Sequence, residues 1–220
     1  MTNNAELPAE LQTYLIDHKD EVMTHIIQFT ELMNEYDSAI KEISTKLEIL
    51  KSDLYLRYNR DCISAIQSRI KSPPSILGKL TRRGIPVSLD AIRNELNDVA
   101  GIRVICAFID DIYMVAEMLS SQDDIRLLMV KDYIKHPKEN GYHSLHMIVE
   151  VPVFFSDAKE MVKVEIQIRT VAMDFWASLE HDIKYKKEIE NSEAVVRGLK
   201  ECADTIAQTD RRMRQLRDGY

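Results

Sequence analysis

The stretch from Val162 to Arg169 alternates without a break. Val162, Val164, Ile166 and Ile168 fall on one face, and Lys163, Glu165, Gln167 and Arg169 on the other. A strand that buries the first face leaves the second free for solvent or for chemistry. Further charges flank Gly101, where a helical pattern meets an otherwise apolar strand: Asp98 before it and Arg103 after it. A charge entering a buried strand is costly without a partner. A phosphate would suit Arg103 and a metal would suit Asp98. Brought together, Asp98 and Glu165 would suit one Mg2+, which usually takes one or two protein carboxylates and completes its shell with water and substrate phosphates. From Arg69 to Arg83 the chain carries Arg69, Lys71, Lys79, Arg82 and Arg83 and no acid. Guanidinium groups fork onto phosphate oxygens and lysines supply compact charge. No G-x-x-x-x-G-K loop is present, so side chains must hold any bound phosphate. Composition and spacing point to a magnesium-dependent, phosphate-handling domain. The plainer alternatives are a solvated basic helix face and an ordinary amphipathic edge strand.

The elements that must position these residues follow from periodicity. After Pro8, apolar residues recur at Val22, Ile26, Phe29, Met33, Tyr36, Ile40, Ile43, Leu47, Leu50 and Leu54, the heptad spacing of a long helix. A second seam runs through Val195, Leu199, Cys202, Ile206, Met213 and Leu216, interrupted by Thr209. Both seams can pack on the central domain, on each other or on another copy of the chain. Between them, Ser88 caps a helix whose face is Leu89, Ile92, Leu96 and Val99, and Gly101 ends it. A buried strand follows over 102–109, and Asp110 and Asp111 lead into a helix through Val115 and Leu119. Strands over 145–151 and 162–169 are joined by a loop containing Pro152 and Ser156-Asp157, and a last helix carries Phe175, Trp176, Leu179 and Ile183. The order predicts an α/β (α+β) fold: a mixed sheet flanked by long helices. The expected divisions are an N-terminal helical segment (1–64), a catalytic domain (65–187) and a C-terminal helix (188–220).

Composition narrows the class. A net charge of −7 argues against a protein coated for nucleic-acid binding. No apolar run approaches the roughly 18 residues of a membrane span, and the polar start reads as neither signal nor transit peptide. Three scattered cysteines fit a reducing cytoplasm.

Four segments resemble the synthetase motifs of the small alarmone synthetases, relatives of the synthetase domain of long Rel/SpoT proteins. They are Arg69-Ile70-Lys71-Ser72-Pro73-Pro74-Ser75-Ile76 with Lys79; Asn97-Asp98-Val99-Ala100-Gly101-Ile102-Arg103-Val104; Asn140-Gly141-Tyr142-His143-Ser144-Leu145-His146; and Glu165-Ile166-Gln167-Ile168-Arg169-Thr170. The run from Ala172 to His181 is also similar to the family, and Lys131-Asp132-Tyr133-Ile134 with Pro137-Lys138 looks closer to its RelP branch than to RelQ. The resemblance covers roughly residues 65–190 and implies a nucleotidyltransferase-like sheet. It also implies transfer of pyrophosphate from ATP to the 3′-hydroxyl of GTP or GDP, with AMP released. By match, Arg69, Lys71, Ser75, Lys79 and Arg103 are expected at ATP, and Asp98 and Glu165 at Mg2+, with Glu165 also the base. Tyr142 is expected to stack on guanine, with Lys138, His143, Gln167, Arg169 and His181 on the acceptor. His143 departs from the Arg or Gln common in relatives. The heptad seams point to a homo-oligomer, for which the resemblance implies a tetramer as in relatives, and the expected activity is synthesis without hydrolysis. Two rivals are a relative that pyrophosphorylates the tRNA 3′ end and a catalytically silent nucleotide-binding module.

Overall fold

The computed structural model describes residues 16–186 and 193–219. The helix start expected after Pro8 and the division placed at residues 187–188 lie outside them. A 40-residue helix, α1 (Lys19–Tyr58), leads into a five-stranded sheet. The strands are β1 (Ile63–Ile70), β2 (Ala100–Cys106), β3 (Arg126–Asp132), β4 (Leu145–Phe154) and β5 (Lys159–Thr170). Their spatial order is β1-β2-β5-β4-β3, with β2 and β5 parallel and every other pair antiparallel. Among the described residues five further helices follow: α2 (Pro73–Arg82), α3 (Leu89–Glu95), α4 (Ile109–Ser120), α5 (Val171–Lys186) and α6 (Glu193–Asp218).

The register explains why one face of the sheet is core and the other can hold chemistry. Ala100, Ile102 and Val104 pair with Val164, Ile166 and Ile168, which pair in turn with Val149, Met147 and Leu145. These residues join Leu32, Tyr36, Ala39, Ile43, Leu47 and Leu54 of α1 in one buried cluster. Each fully buried Leu or Ile is worth about 1.5–3 kcal/mol, so the α1 seam is a main source of stability. Only part of that seam packs, however. Met23, Ile26 and Ile27 are exposed, and burial starts near Phe29 and Leu32. Asn59 ends α1 in the left-handed region at φ 50°, a conformation Asn tolerates better than most residues.

Several expected boundaries shift. The sheet begins at Ile63, ahead of the division expected at 65, and β1 and β3 were not expected as strands. β1 mixes polar residues through its length, and β3 is an exposed edge, so neither shows clean alternation. The helix capped by Ser88, whose Oγ accepts from Ala91 N at 3.0 Å, stops at Glu95 because Leu96 is already extended. Its expected last member, Val99, instead lies at the mouth of β2. Pro152 sits inside β4, not in a loop; its neighbour on one side is Met161, and the β3 pairing has ended at Glu150. A proline without an N–H is tolerated where no ladder bond is needed. On α5, Met173 and Trp176 are buried whereas Phe175, Leu179 and Ile183 face outward. On α6, Leu199 and Ala203 are buried, Cys202 is exposed, and Met213 and Leu216 are exposed. No described helix is long and apolar enough to cross a membrane.

Candidate active site

The polar face of the sheet carries two rows of residues. Strand register aligns Arg69, Gly101, Glu165 and Ile148 in one row, and Gln67, Arg103, Gln167 and His146 in the next. Asp98 enters just before β2, and a backbone bond from Lys71 N to Val99 O (2.8 Å) extends the β1–β2 ladder to bring Lys71 beside it. Arg69, Asp98, Gly101, Arg103, Glu165 and Gln167 thus line one cleft of about 260 Å3, with Gln67, Ser68 and Ile102.

Asp98 is the electrostatic centre of this cleft. Lys71 Nζ donates to Oδ2 at 2.7 Å and Lys79 Nζ, projecting from α2, lies 2.7 Å from Oδ1. Burial pushes the Asp98 carboxyl up, but the two ammonium groups outweigh it and hold the group below the ordinary carboxylate range. Oδ1 is buried and accepts no well-aligned hydrogen bond among the described residues, despite the nearby Lys79. Arg103 Nε is likewise buried without a partner, while its Nη1 lies 3.3 Å from Asp174 Oδ1. A buried guanidinium N–H without a partner among the described residues fits a phosphate, and the Asp98 carboxylate, held here by two ammonium groups, is one that can accept a cation. No group of three or more His, Cys, Asp or Glu that could hold a metal is found among the described residues. The donor set, two carboxylates in a cleft lined with cations, fits Mg2+ carried with phosphates, not a closed structural zinc site.

Glu165 belongs to a closed ring of hydrogen bonds. Its Oε2 accepts from Gln167 Nε2 (3.0 Å), and Gln167 Oε1 accepts from Arg169 Nη2 (2.7 Å). Arg169 Nη2 also donates to the Tyr142 hydroxyl (3.0 Å), which lies 2.8 Å from His146 Nε2. His146 Nδ1 closes the ring at 3.2 Å from Glu165 Oε1. Burial raises the Glu165 carboxyl, and the bonds from His146 and Gln167 more than reverse this, leaving it below 4.5 although Asp98 pushes the other way. Asp98 and Glu165 line the same cleft. Burial pushes the Tyr142 hydroxyl up and makes the Arg169 guanidinium easier to deprotonate than usual.

Tyr142 also lines a second, wider cavity of about 1170 Å3, shared with Lys138, Asn140, His146, Gln167 and Glu180 among others. Lys138 Nζ sits 4.7 Å from the centroids of both the Tyr142 and Tyr133 rings, within cation–π range. Tyr133 and His146 meet Tyr142 edge-on, and Trp176 lies 6.4 Å away. The two cavities share Gln167 and join across the hydrogen-bonded ring.

The structure therefore gathers Arg69, Lys71, Lys79, Asp98, Arg103, Lys138, Tyr142, Glu165, Gln167 and Arg169 around two adjoining cavities. It does not gather the rest. Ser75 is exposed on α2, its hydroxyl 2.9 Å from that of Ser72. His181 is exposed on α5 and lines neither cavity. His143 turns away from the Tyr142 cavity: its Nδ1 lies 2.6 Å from Gly141 O, and it lines a small void with Met173, Trp176 and α6. Tyr142 and His143, adjacent in sequence, thus line different cavities. Lys163, on the polar face of β5, donates to the carbonyls of Arg93 and Asn94 and serves α3. Two members were missed: His146, whose place two residues after Ser144 on β4 was the available signal, and Asp174, which faces Arg103 and Arg169.

Residues 68–190 match the family model described as the region found in RelA / SpoT proteins. The chain is 40% identical over 198 residues to the GTP pyrophosphokinase YwaC of Bacillus subtilis, covering 90% of this chain and 94% of that protein. It is 35% identical over 190 residues to the GTP pyrophosphokinase YjbM of the same organism, covering 86% and 89%. Among solved structures, small alarmone synthetase 1 from Bacillus subtilis bound to its product pppGpp superposes with a TM-score of 0.80 at 34% identity, covering 87% of this chain and 97% of that one. With its motifs assembled on a shared fold along almost the full length of these relatives, the chain belongs to the RelA/SpoT family, among the small alarmone synthetases.

Proposed function

We infer that this protein is a GTP pyrophosphokinase, moving the β,γ-pyrophosphate of ATP to the 3′-hydroxyl of GTP or GDP to give pppGpp or ppGpp and AMP. The observation that carries the site assignment is the convergence of Asp98 and Glu165 on one cation-lined cleft that adjoins the Tyr142 cavity. ATP is read into the first cavity, where Arg69, Lys71, Lys79 and Arg103 meet its phosphates. Guanine is read into the second, stacked on Tyr142, with Lys138 leaving the ring face to meet the acceptor phosphates.

In this reading the acceptor 3′-oxygen attacks the β-phosphorus in line. The O3′–Pβ bond forms, the bond from Pβ to the bridging α,β oxygen breaks, and AMP carries that oxygen away. Glu165 takes the 3′-hydroxyl proton, a role suited to a carboxylate held ionised and oriented by Gln167 and His146. Lys71 and Lys79 exchange Asp98 for phosphate oxygens as ATP enters, which frees Asp98. Asp98 and Glu165 would hold Mg2+, which when bound neutralises charge on the transferring group. Most of the acceleration is assigned to positioning and charge complementarity.

The further readings are synthesis without hydrolysis, a cytoplasmic setting suited to free Cys62, Cys106 and Cys202, and a homo-oligomer, with a tetramer as its proposed size. The exposed apolar residues Met23, Ile26 and Ile27 on α1 and Phe175, Leu179 and Ile183 on α5 support self-association, which light scattering measures directly. The reaction is tested by incubating the protein with β-labelled ATP and GTP, GDP, GMP or bulk tRNA. Label on the guanine nucleotide with matching AMP release is expected. Label on tRNA, or nucleotide binding with no AMP release, would overturn the assignment.

A further inference from the structure

The acceptor cavity has one wall that lies beyond the matched 68–190 region. Helix α6 contributes Glu193, Val196, Arg197 and Lys200 to it, opposite the loop that carries Tyr142. The same helix is fastened to that loop and its surroundings at three independent points.

The first is Gly141. Its φ of +86° is one that only glycine adopts without strain, and a Cβ added there would lie 2.6 Å from Ala203 Cβ and 3.2 Å from Lys200 Cα. Loop backbone and helix thus touch with no room for a side chain, one residue before Tyr142. The second is Thr170, the end of the strand that carries Glu165, Gln167 and Arg169. Its hydroxyl donates to Asp210 Oδ2 at 2.6 Å while accepting from Met173 N at 3.1 Å. Burial pushes the Asp210 carboxyl above its ordinary value, against the bond from Thr170. The third is Trp176, 4% exposed, whose Nε1–H donates to Leu199 O at 2.9 Å while its ring lies 6.4 Å from Tyr142. Trp176, Leu199 and Ala203 form a buried cluster of their own, with Tyr142 packed against it and separate from the main core.

We propose that α6 is a positioning element of the acceptor site, in which Ala203, packed on Gly141, and Asp210, bonded to Thr170, fix Tyr142 in the pose that receives guanine. The donor cleft is not bordered by α6, so the helix acts on one substrate and not on the other. This rests on the reading that Tyr142 stacks on the acceptor base.

The test uses the full chain and its single tryptophan. Ala203→Leu should push the loop off the helix, raising KM for GTP by about tenfold while KM for ATP stays within about twofold. Trp176 emission should shift to the red in the free protein. Asp210→Ala should raise KM for GTP by a smaller factor, and Asp210→Asn, which keeps an acceptor for Thr170, should restore it. If Ala203→Leu gives no cooperative melt, the two Asp210 variants decide. Red-shifted emission with unchanged KM for GTP overturns the proposal, as does a parallel change in both KM values, which marks a merely structural helix. Tyr142→Ala separates the two layers. If it leaves KM for GTP unchanged, the stacking reading fails; if it raises KM for GTP and the α6 variants do not, the positioning role alone fails.

Discussion

The proposed donor and acceptor halves of the site are built on opposite principles. The donor half stands on strands and one short helix, and its charges are already paired: Lys71 and Lys79 on Asp98, and Arg103 on Asp174. The acceptor half is an aromatic cluster in which Tyr133 and Tyr142, on the segment between β3 and β4, meet His146 of β4 and Trp176 of α5, with a helix distant in sequence packed against it. In the proposed reading, phosphate recognition follows from strand register and charge, and base recognition from tertiary packing. The hydrogen-bonded ring from Glu165 through Tyr142 is where the two halves meet.

The largest effect expected is at the junction. Glu165→Gln should lower turnover by about 10²-fold or more, measured by chromatography of products, if the carboxylate is both proton acceptor and metal ligand. Next comes the acceptor half. Tyr142→Ala should raise KM for GTP by about tenfold or more, given the 1–3 kcal/mol typical of base–aromatic stacking, with KM for ATP little changed. Tyr142→Phe sharpens the contrast. It keeps the ring but removes the hydroxyl that bonds Arg169 and His146, so steady-state kinetics should show turnover reduced about three- to tenfold at near-normal KM for GTP.

Smaller still is the effect of pH. Asp98 and Glu165 are both held below their ordinary values, so both stay ionised through the neutral range. Their contribution to stability is present above the ordinary carboxylate values and is lost as pH falls through the depressed ones. A pH profile of kcat should therefore show no limb from Glu165 between about pH 5 and 7. A limb there that vanishes in Glu165→Gln would mean its proton is held far more tightly than these contacts allow.

What could be read from sequence divides along the same line. The alternation at 162–169 gives β5 its two faces, and Asp98 and Arg103 flank Gly101 beside it, so the charged lining of the cleft is legible from pattern, whereas its reading as the ATP site comes from the family resemblance. The placement of His143 is not legible. It depends on which side of an irregular, extended loop faces the cavity, and no periodicity reports that. The C-terminal seam misled in the same way. Leu199 packs as expected, but the loop is met by Ala203 and not by Cys202, because the surface to be matched is the bare backbone of Gly141. Small residues that make close contacts carry almost no hydrophobic signal. β1 and β3 escaped because an edge strand need not alternate.

The central claim is that Asp98 and Glu165 act as a unit on one transferring group. The most direct measurement is a double-mutant cycle on kcat with Asp98→Asn, Glu165→Gln and the pair together, using ATP and GTP at saturation. Residues that serve one ion and one transition state lose nearly everything with the first substitution, so the double variant should be no more than a few-fold slower than the worse single one. Losses that multiply in full would mean that the two carboxylates work independently, and would contradict the site as described.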